Sequence, residues 1–347
     1  MSVRERDGVV ATGYVASGAS RPSMVAVDVG YGYTKAVADG ARLVMPSVVA
    51  PAPDGDFAVL SGSGLKHRLD LLTDRRERLV VGEAALGAGA ERSWADGARS
   101  GYLPLVYASL LAVGAAGDVD VALGLPLAVY LRKDERQRLR ASVEGKRVWA
   151  SLDGSDARAV AVRRAWVYPQ GYGAYLAALA ADPGLAGEYV GLVDVGYRTT
   201  DYVLLVPGEG GTATVDAVRC GSVDVGLRVA YDAVRTGIAR EAGMAFDPPE
   251  HYVERAVERG VMRVYDRDID VKGMLGPAAD GLGAQVTEAL RRAWGERIGY
   301  LAVLLLAGGG GSLLTPHMKG ARLVPDPVFA NAEGFLLLAR SRQQSTS

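Results

Sequence analysis

Two short stretches hold the residues best suited to chemistry in this chain. Residues 27–37 read VDVGYGYTKAV and residues 193–203 read VDVGYRTTDYV. Each places an acid, Asp28 or Asp194, two residues ahead of a glycine, Gly30 or Gly196. Glycine lets backbone N–H groups converge on an anion with no side chain in the way, so each stretch is a candidate phosphate loop. If the two carboxylates face each other across a cleft, they repel unless a cation lies between them. Hydrated Mg²⁺ suits that place, because it keeps several waters and needs few direct protein ligands. Asp28 and Asp194 are therefore the expected metal partners, acting through water. Lys35 would bring a point charge to the same phosphates.

Other readings of the glycines fit less well. A dinucleotide fingerprint runs from its glycines directly into a helix, whose N-terminus meets the pyrophosphate. Here Gly32 is followed by YTKAVAD and then Asp39-Gly40, which is strand followed by a hairpin turn. The spacing G-x-x-x-x-G-K-[ST] is absent around Lys35. Either copy alone could be a plain β-hairpin. The repeat favours phosphate binding, since two unrelated hairpins need not match in both Asp and Gly.

The elements that would position these turns form a pattern that occurs twice. Residues 24–37 and ARLVMPSVVA from Ala41 read as strands. Residues 54–100 mix strand candidates (FAVLSG at 57–62, RLVVGEAAL at 78–86) with polar turns and suggest a small inserted subdomain. A helix is expected over 104–117, a strand running into a proline turn over 120–130 and a charged helix over 133–145. Strands at 147–154 and 158–169 lead to a helix over 169–181. DPGLAG at 182–187 marks a boundary. Strand-turn-strand then restarts at YVGLVDV, passes the turn PGEGG at 207–211 and continues with TATVDAV. Helices are expected over 225–242, 248–259 and 280–299. LAVLLLA at 301–307 is a strand running into GGGGSLL, and PDPVFANAEGFLLLAR is a final helix. The order indicates a duplicated α/β architecture. One lobe is expected over 23–182 plus 325–342, with an insertion at about 46–103. The other is expected over 187–324, with an insertion at about 222–280.

Composition excludes several classes. The 347 residues carry 39 Lys plus Arg against 40 Asp plus Glu, so the chain does not hold nucleic acid chiefly by neutralising phosphates. The single Cys220 cannot form an internal disulfide or a cysteine metal site, and reads as a small buried hydrophobe. His67, His251 and His317 lie far apart in sequence. No apolar run approaches the ~20 residues of a membrane span, and residues 1–22 read as a flexible tail without a signal-peptide core. These features point to a cytoplasmic protein with no membrane contact.

At this point five motifs carry a family resemblance. DVGYGYTK at 28–35 resembles the first phosphate motif of the actin-like ATPase superfamily, and DVGYRTTD at 194–201 the second. AGGGGS at 307–312, behind an apolar strand, is similar to the adenosine motif. YPQGYGA at 168–174 resembles the first connecting helix, and NAEGF at 331–335 the second. They stand in the family's order and span residues 24–342. The resemblance implies an α/β, ribonuclease H-like duplicated fold with two lobes and a nucleotide cleft, holding ATP (or GTP) and Mg²⁺.

It also assigns residues. Gly30, Tyr31, Gly32, Tyr33 and Lys35 would hold phosphates from one side, and Gly196, Tyr197, Arg198 and Thr199 from the other. Gly308, Gly309 and Gly310 would lie against ribose or purine, with Gly221 and the helix from Gly226 as further purine contacts. Gln170 falls on the residue that positions the attacking water, and with Asp28 and Asp194 completes the catalytic set. The chain departs from the family at Tyr31 and Tyr33, where small polar residues are common, and at Tyr197-Arg198, where Gly or Asp is frequent. Within the superfamily, VMPSVVA, LVVGEAAL, VALGLPLAVY and DPVFANAEGFL resemble the ParM-type plasmid-segregation group. That implies nucleotide-dependent filaments, with a separate DNA-binding adaptor and no direct nucleic-acid contact. A non-polymerising small-molecule kinase of the same fold is the alternative, although Gln170 stands where such kinases need an acid.

Overall fold

The computed structural model describes residues 14–15, 21–52, 68–72, 77–90, 92, 101–209, 213–243 and 247–345. The strand expected at 57–62, most of the 1–22 tail and part of the PGEGG turn lie outside these residues. The described residues divide into two compact units, one running to Ala178 and resuming at Val328, the other covering Leu179–Pro327.

The first unit is built on strands β1 (Tyr14–Val15), β2 (Met24–Val29), β3 (Tyr33–Ala38), β4 (Ala41–Pro46), β5 (Val49–Pro51), β6 (Arg68–Leu72), β7 (Arg78–Val81), β8 (Gly117–Leu125), β9 (Arg147–Leu152) and β10 (Arg158–Pro169). They pair in the order β1-β4-β3-β2-β8-β10-β9-β6-β7-β5. At its centre β2, β8 and β10 run parallel, with Val27 beside Leu123 and Tyr168 beside Gly124. Every residue of β2 is buried, as expected of a strand covered on both faces. Alternation decides which face each residue meets. Val25, Val27 and Val29 join the cluster containing Tyr102, Leu105, Val106 and Leu110 of the helix Tyr102–Ala112. Met24 and Ala26 join Ala332, Phe335, Leu336 and Ala339 of the C-terminal helix Ala330–Gln344.

Tyr14–Val15, within the expected tail, pairs antiparallel with Ala41–Arg42. The inserted segment supplies β5, β6 and β7, which join the main sheet through β9.

The C-terminal helix meets the helix Tyr172–Ala181 at a place where backbone touches backbone. A Cβ at Gly334 would fall on the carbonyl of Gly173. One at Gly173 would lie 2.5 Å from the Phe335 ring, and one at Gly124 would lie 2.6 Å from that ring and 2.8 Å from the Asp28 carboxylate. Phe335 is fully buried and stacks on Tyr168 at 6.0 Å.

The second unit repeats the core pattern. Its strands are β11 (Val190–Val195), β12 (Thr200–Pro207), β13 (Ala213–Val215), β14 (Gly221–Val223), β15 (Val261–Val264), β16 (Arg267–Asp270), β17 (Val303–Ala307) and β18 (Ala321–Leu323). The order β13-β12-β11-β17-β18, with β14 also on β12, matches β4-β3-β2-β8-β10: a hairpin followed by two parallel strands. Trp294, Leu290, Val286 and Leu282 of one long helix cover this sheet.

That helix is Lys272–Trp294, eight residues longer at its start than the reading from 280, and 295–300 is a separate tight turn. GMLGPAADGLG looks like a helix breaker, and Pro277, in the second turn, does remove the N–H that would meet the Gly273 carbonyl. Burial of Ala279, Leu282 and the residues beyond drives the rest. The β15–β16 hairpin had no counterpart in the sequence reading.

Gly334→Ala is expected to lower stability by about 3 kcal/mol or more, because the added methyl meets backbone that cannot rotate away. Urea unfolding of Gly334→Ala, Gly173→Ala and the double variant should give costs that do not sum, since the two positions share one contact.

Candidate functional site

The first turn closes a four-residue loop between Val29 and Thr34, which face each other across β2 and β3. Gly30 N–H donates to the Tyr33 carbonyl at 3.1 Å, and a Cβ on Gly30 would sit 3.0 Å from that oxygen. The Lys35 ammonium lies beside the same loop, 3.6 Å from where that Cβ would be. The loop is held from behind. Ser47 N–H and Arg92 Nε both donate to the Gly32 carbonyl, at 2.9 and 3.2 Å, and the Arg92 guanidinium lies over the Tyr33 ring at 5.0 Å. The Thr34 and Ser47 hydroxyls are 2.8 Å apart in the interior.

Asp28 stands just before this loop at the carboxyl end of β2, only 4% exposed. Open α/β sheets bind ligands at that end of their parallel strands. Gln170, also buried, follows β10 and donates from Nε2 to Asp28 Oδ1 at 2.5 Å. Its own N–H is fixed by the Leu125 carbonyl at 2.8 Å. The next residues start the helix Tyr172–Ala181, and Asn331 caps it from another element. Asn331 Oδ1 accepts from Gly171 N–H at 2.9 Å and Ala174 N–H at 3.1 Å. Asp28, Gln170 and the first turn are thus brought together in the first unit, and the motif at 331–335 supports them.

The second turn has the same geometry. Val195 faces Thr200, and Gly196 N–H donates to the Thr199 carbonyl at 2.9 Å. Its backing differs, because the Gly196 and Tyr197 carbonyls accept from Leu227 and Arg228 N–H, at 3.1 and 2.9 Å. The helix Leu227–Ala242 therefore spends its first N–H groups on the turn. A Cβ at Gly226 would come within 2.8 Å of both carbonyl oxygens.

Asp194 ends β11 beside Ala307 of β17. At Gly308, with φ +79°, a Cβ would fall on the Asp194 carboxylate, and one at Gly310 would lie 2.5 Å from Val195. A Cβ at Gly309 would have no neighbour nearer than Leu227 at 3.8 Å. The glycine run is a strand-to-helix turn, leading into the four-residue helix Gly311–Leu314.

Several predicted ligand residues have protein partners already. Arg198 pairs with Asp224 at 3.0 Å. Tyr197 packs on Tyr231, with ring centroids 6.1 Å apart. Gly221 accommodates Tyr202, whose hydroxyl a Cβ would approach to 2.5 Å and whose ring to 2.8 Å. Cys220 is half-buried, its Sγ 3.1 Å from the Asp216 carbonyl, and burial pushes its thiol up to about 11. Arg92 and Ser47 carry no sequence signal for the site, since Arg92 lies in no motif and Ser47 lies in VMPSVVA, which reads as strand and as family resemblance without a role at the turn. Only their reach to Gly32 reveals them. One carboxylate per turn suits a hydrated cation that keeps its own waters, not a metal enclosed by protein side chains.

The two units meet two sequence families separately. Residues 26–173 match the model for the N-terminal domain of actin-like proteins, and residues 192–320 match that for the C-terminal domain of archaeal MreB-like actin homologues. The chain belongs to the actin-like superfamily. Its actin-like fold is also that of solved structures. Among them is a ParM from a 15-stranded filament of Clostridium botulinum, with TM-score 0.79 and 20% identity, covering 93% of this chain and all of that one. Another is the archaeal actin homologue Ta0583, with TM-score 0.76 and 25% identity, covering 92% and 99%. The same homologue has been solved in complex with ADP. Comparison with curated protein sequences finds no match. Among the described residues, no helix is long and apolar enough to cross a membrane.

Asn331→Ala should cost about 1–2 kcal/mol in urea unfolding, because two helix-start N–H groups lose their acceptor, while Asn331→Asp should cost less. Native protein at pH 8 should react with a thiol reagent roughly 10²-fold slower than a free cysteine, and fully once unfolded, because the raised pKa leaves little thiolate.

Proposed function

We propose that this chain is an ATPase that binds ATP (or GTP) with Mg²⁺, hydrolyses it slowly and assembles into nucleotide-dependent filaments that segregate DNA through an adaptor. In this reading the turns at 30–33 and 196–199 grip one phosphate tail from its two sides, with Lys35 adding charge. Asp28 and Asp194 hold the ion through water, and Gly309, the glycine with room around it, lies against the nucleoside. Bound Mg²⁺ would neutralise charge on the phosphates. Arg198, paired with Asp224 beside the turn, adds charge toward the phosphates, and Gly221, against Tyr202, is a further purine contact.

The observation that carries the reading is the Asp28–Gln170 hydrogen bond at the carboxyl end of the parallel strands, beside a glycine-cleared turn. A glutamine amide is no general base, but it can orient a water. Donation from Nε2 to Asp28 fixes the side chain and turns Oε1 into the acceptor for one water proton. Slow turnover follows, since an amide orients that water without taking its proton. Filament formation by the Clostridium botulinum relative and ADP binding by the archaeal one support the same assignment.

Light scattering should rise when ATP and Mg²⁺ are added and fall back as phosphate is released. Gln170→Ala should slow phosphate release by about 10–100-fold while nucleotide still binds, as expected when a reacting water is misplaced. Flat scattering, with phosphate transfer only after a small-molecule acceptor is supplied, would replace this proposal with the kinase reading.

A further inference from the structure

Arg198 and Asp224 lie side by side at the second turn, and the backbone on either side of each is held firmly. Arg198 is the third residue of the turn at 196–199. That turn closes through Gly196 N–H and rests on the start of the helix Leu227–Ala242 through Leu227 and Arg228 N–H. Tyr197, only 9% exposed, anchors it from inside. Asp224 lies in the short link between β14 and the same helix. Val223 pairs with Thr200, and the Thr200 hydroxyl donates to the Val225 carbonyl at 2.7 Å, so the chain is fixed both before and after Asp224. The carboxylate does not cap the helix, whose N-cap is Gly226 with no side-chain hydrogen bond. It accepts instead from Arg198 Nε, at 3.0 Å.

Both side chains stand partly in water, Arg198 at 41% exposed and Asp224 at 71%. An exposed pair of this kind is favoured over its broken state by about fivefold at most. It adds little to the fold, and a stronger anion displaces the carboxylate. A nucleotide's phosphates form such an anion, because they carry more charge and present oxygens that match a guanidinium fork. Arg198 stands in the turn read above as gripping the phosphate tail. The sequence therefore puts a cation in a phosphate turn and an acid within its reach, on a backbone that keeps both in place. Two anions, one built in and one arriving, contend for the same guanidinium.

We propose that Asp224 is an internal competitor of the nucleotide: it holds Arg198, yields the guanidinium to the phosphates on binding and takes it back when phosphate leaves. The affinity of a ligand that needs Arg198 falls by the fraction of time the guanidinium is held elsewhere. Asp224 thus tempers nucleotide affinity without touching the ligand. The inference rests on the phosphate-turn reading above and names the residue that regulates it.

The test measures the affinity of the full chain for a non-hydrolysable ATP analogue with Mg²⁺, at protein concentrations too low for assembly. Asp224→Ala should bind the analogue about three- to fivefold more tightly, the strength of the pair it breaks. Asp224→Asn, which keeps the shape and removes the charge, should do the same. In an Arg198→Gln background neither change should tighten binding, because the two residues act as one unit. A gain that persists in Arg198→Gln would come from the lost negative charge alone and would overturn the proposal. Unchanged or weaker binding by both Asp224 variants would overturn it too, since a carboxylate that aims Arg198 at the phosphates gives that result. A wild type that binds no nucleotide would instead remove the phosphate-turn reading, and this inference with it.

Discussion

A carboxylate at the end of a central strand can be this buried only if its neighbours leave it room, and the first unit is arranged around that requirement. Asp28 is cleared on one side by Gly124, and the same glycine admits the Phe335 ring. Phe335 in turn lies against Gly173, whose carbonyl meets Gly334. Three strands and two helices therefore converge on one point with almost no side-chain volume between their backbones. A methyl group at any of the three glycines would push apart elements that must stay in register for Gln170 to reach Asp28. The packing and the candidate chemistry depend on the same absent side chains.

The duplication extends to single hydrogen bonds, yet the two copies are held in different ways. Both loops close with a glycine N–H on the carbonyl three residues ahead, and both place a fully buried threonine at the start of the second strand. The first loop is braced by Ser47 and by Arg92, from the inserted segment. The second is braced by the N-terminus of the helix Leu227–Ala242, which starts 31 residues after Gly196. A helix start is a rigid brace, because the helix's own hydrogen bonds fix its backbone. A guanidinium at the end of a long side chain is an adjustable one, supplied from a distance in sequence.

Much of this could be read from the residues alone. The repeated Asp-Val-Gly-Tyr gave both turns, and alternation gave β2, β3, β11 and β12. The charged run at 133–145 corresponds to a helix over Lys133–Val143. What escaped had physical reasons. Gly276-Pro277 masked the first two turns of the long helix, because the burial that offsets the lost ladder bond comes from residues distant in sequence. The β15–β16 hairpin lacks an Asn-Gly or Asp-Gly signal, since its tip is Tyr265-Asp266, a strained choice. Arg92, Ser47 and the cap from Asn331 act across long sequence separations, which no local pattern records. Composition likewise does not record that Arg198 pairs with Asp224 or that Gly221 packs against Tyr202.

The C-terminal helix fills one face of the sheet that begins with Met24, although the whole second unit is encoded between the two. During synthesis the ribosome therefore exports a first unit with half of its sheet unroofed, and exports the second unit complete. The later half can reach its native state while the earlier one still waits for its cover. A nascent chain stalled ahead of Val328 would present Met24, Ala26 and Ala122 as bare apolar surface, an obvious station for a holding chaperone.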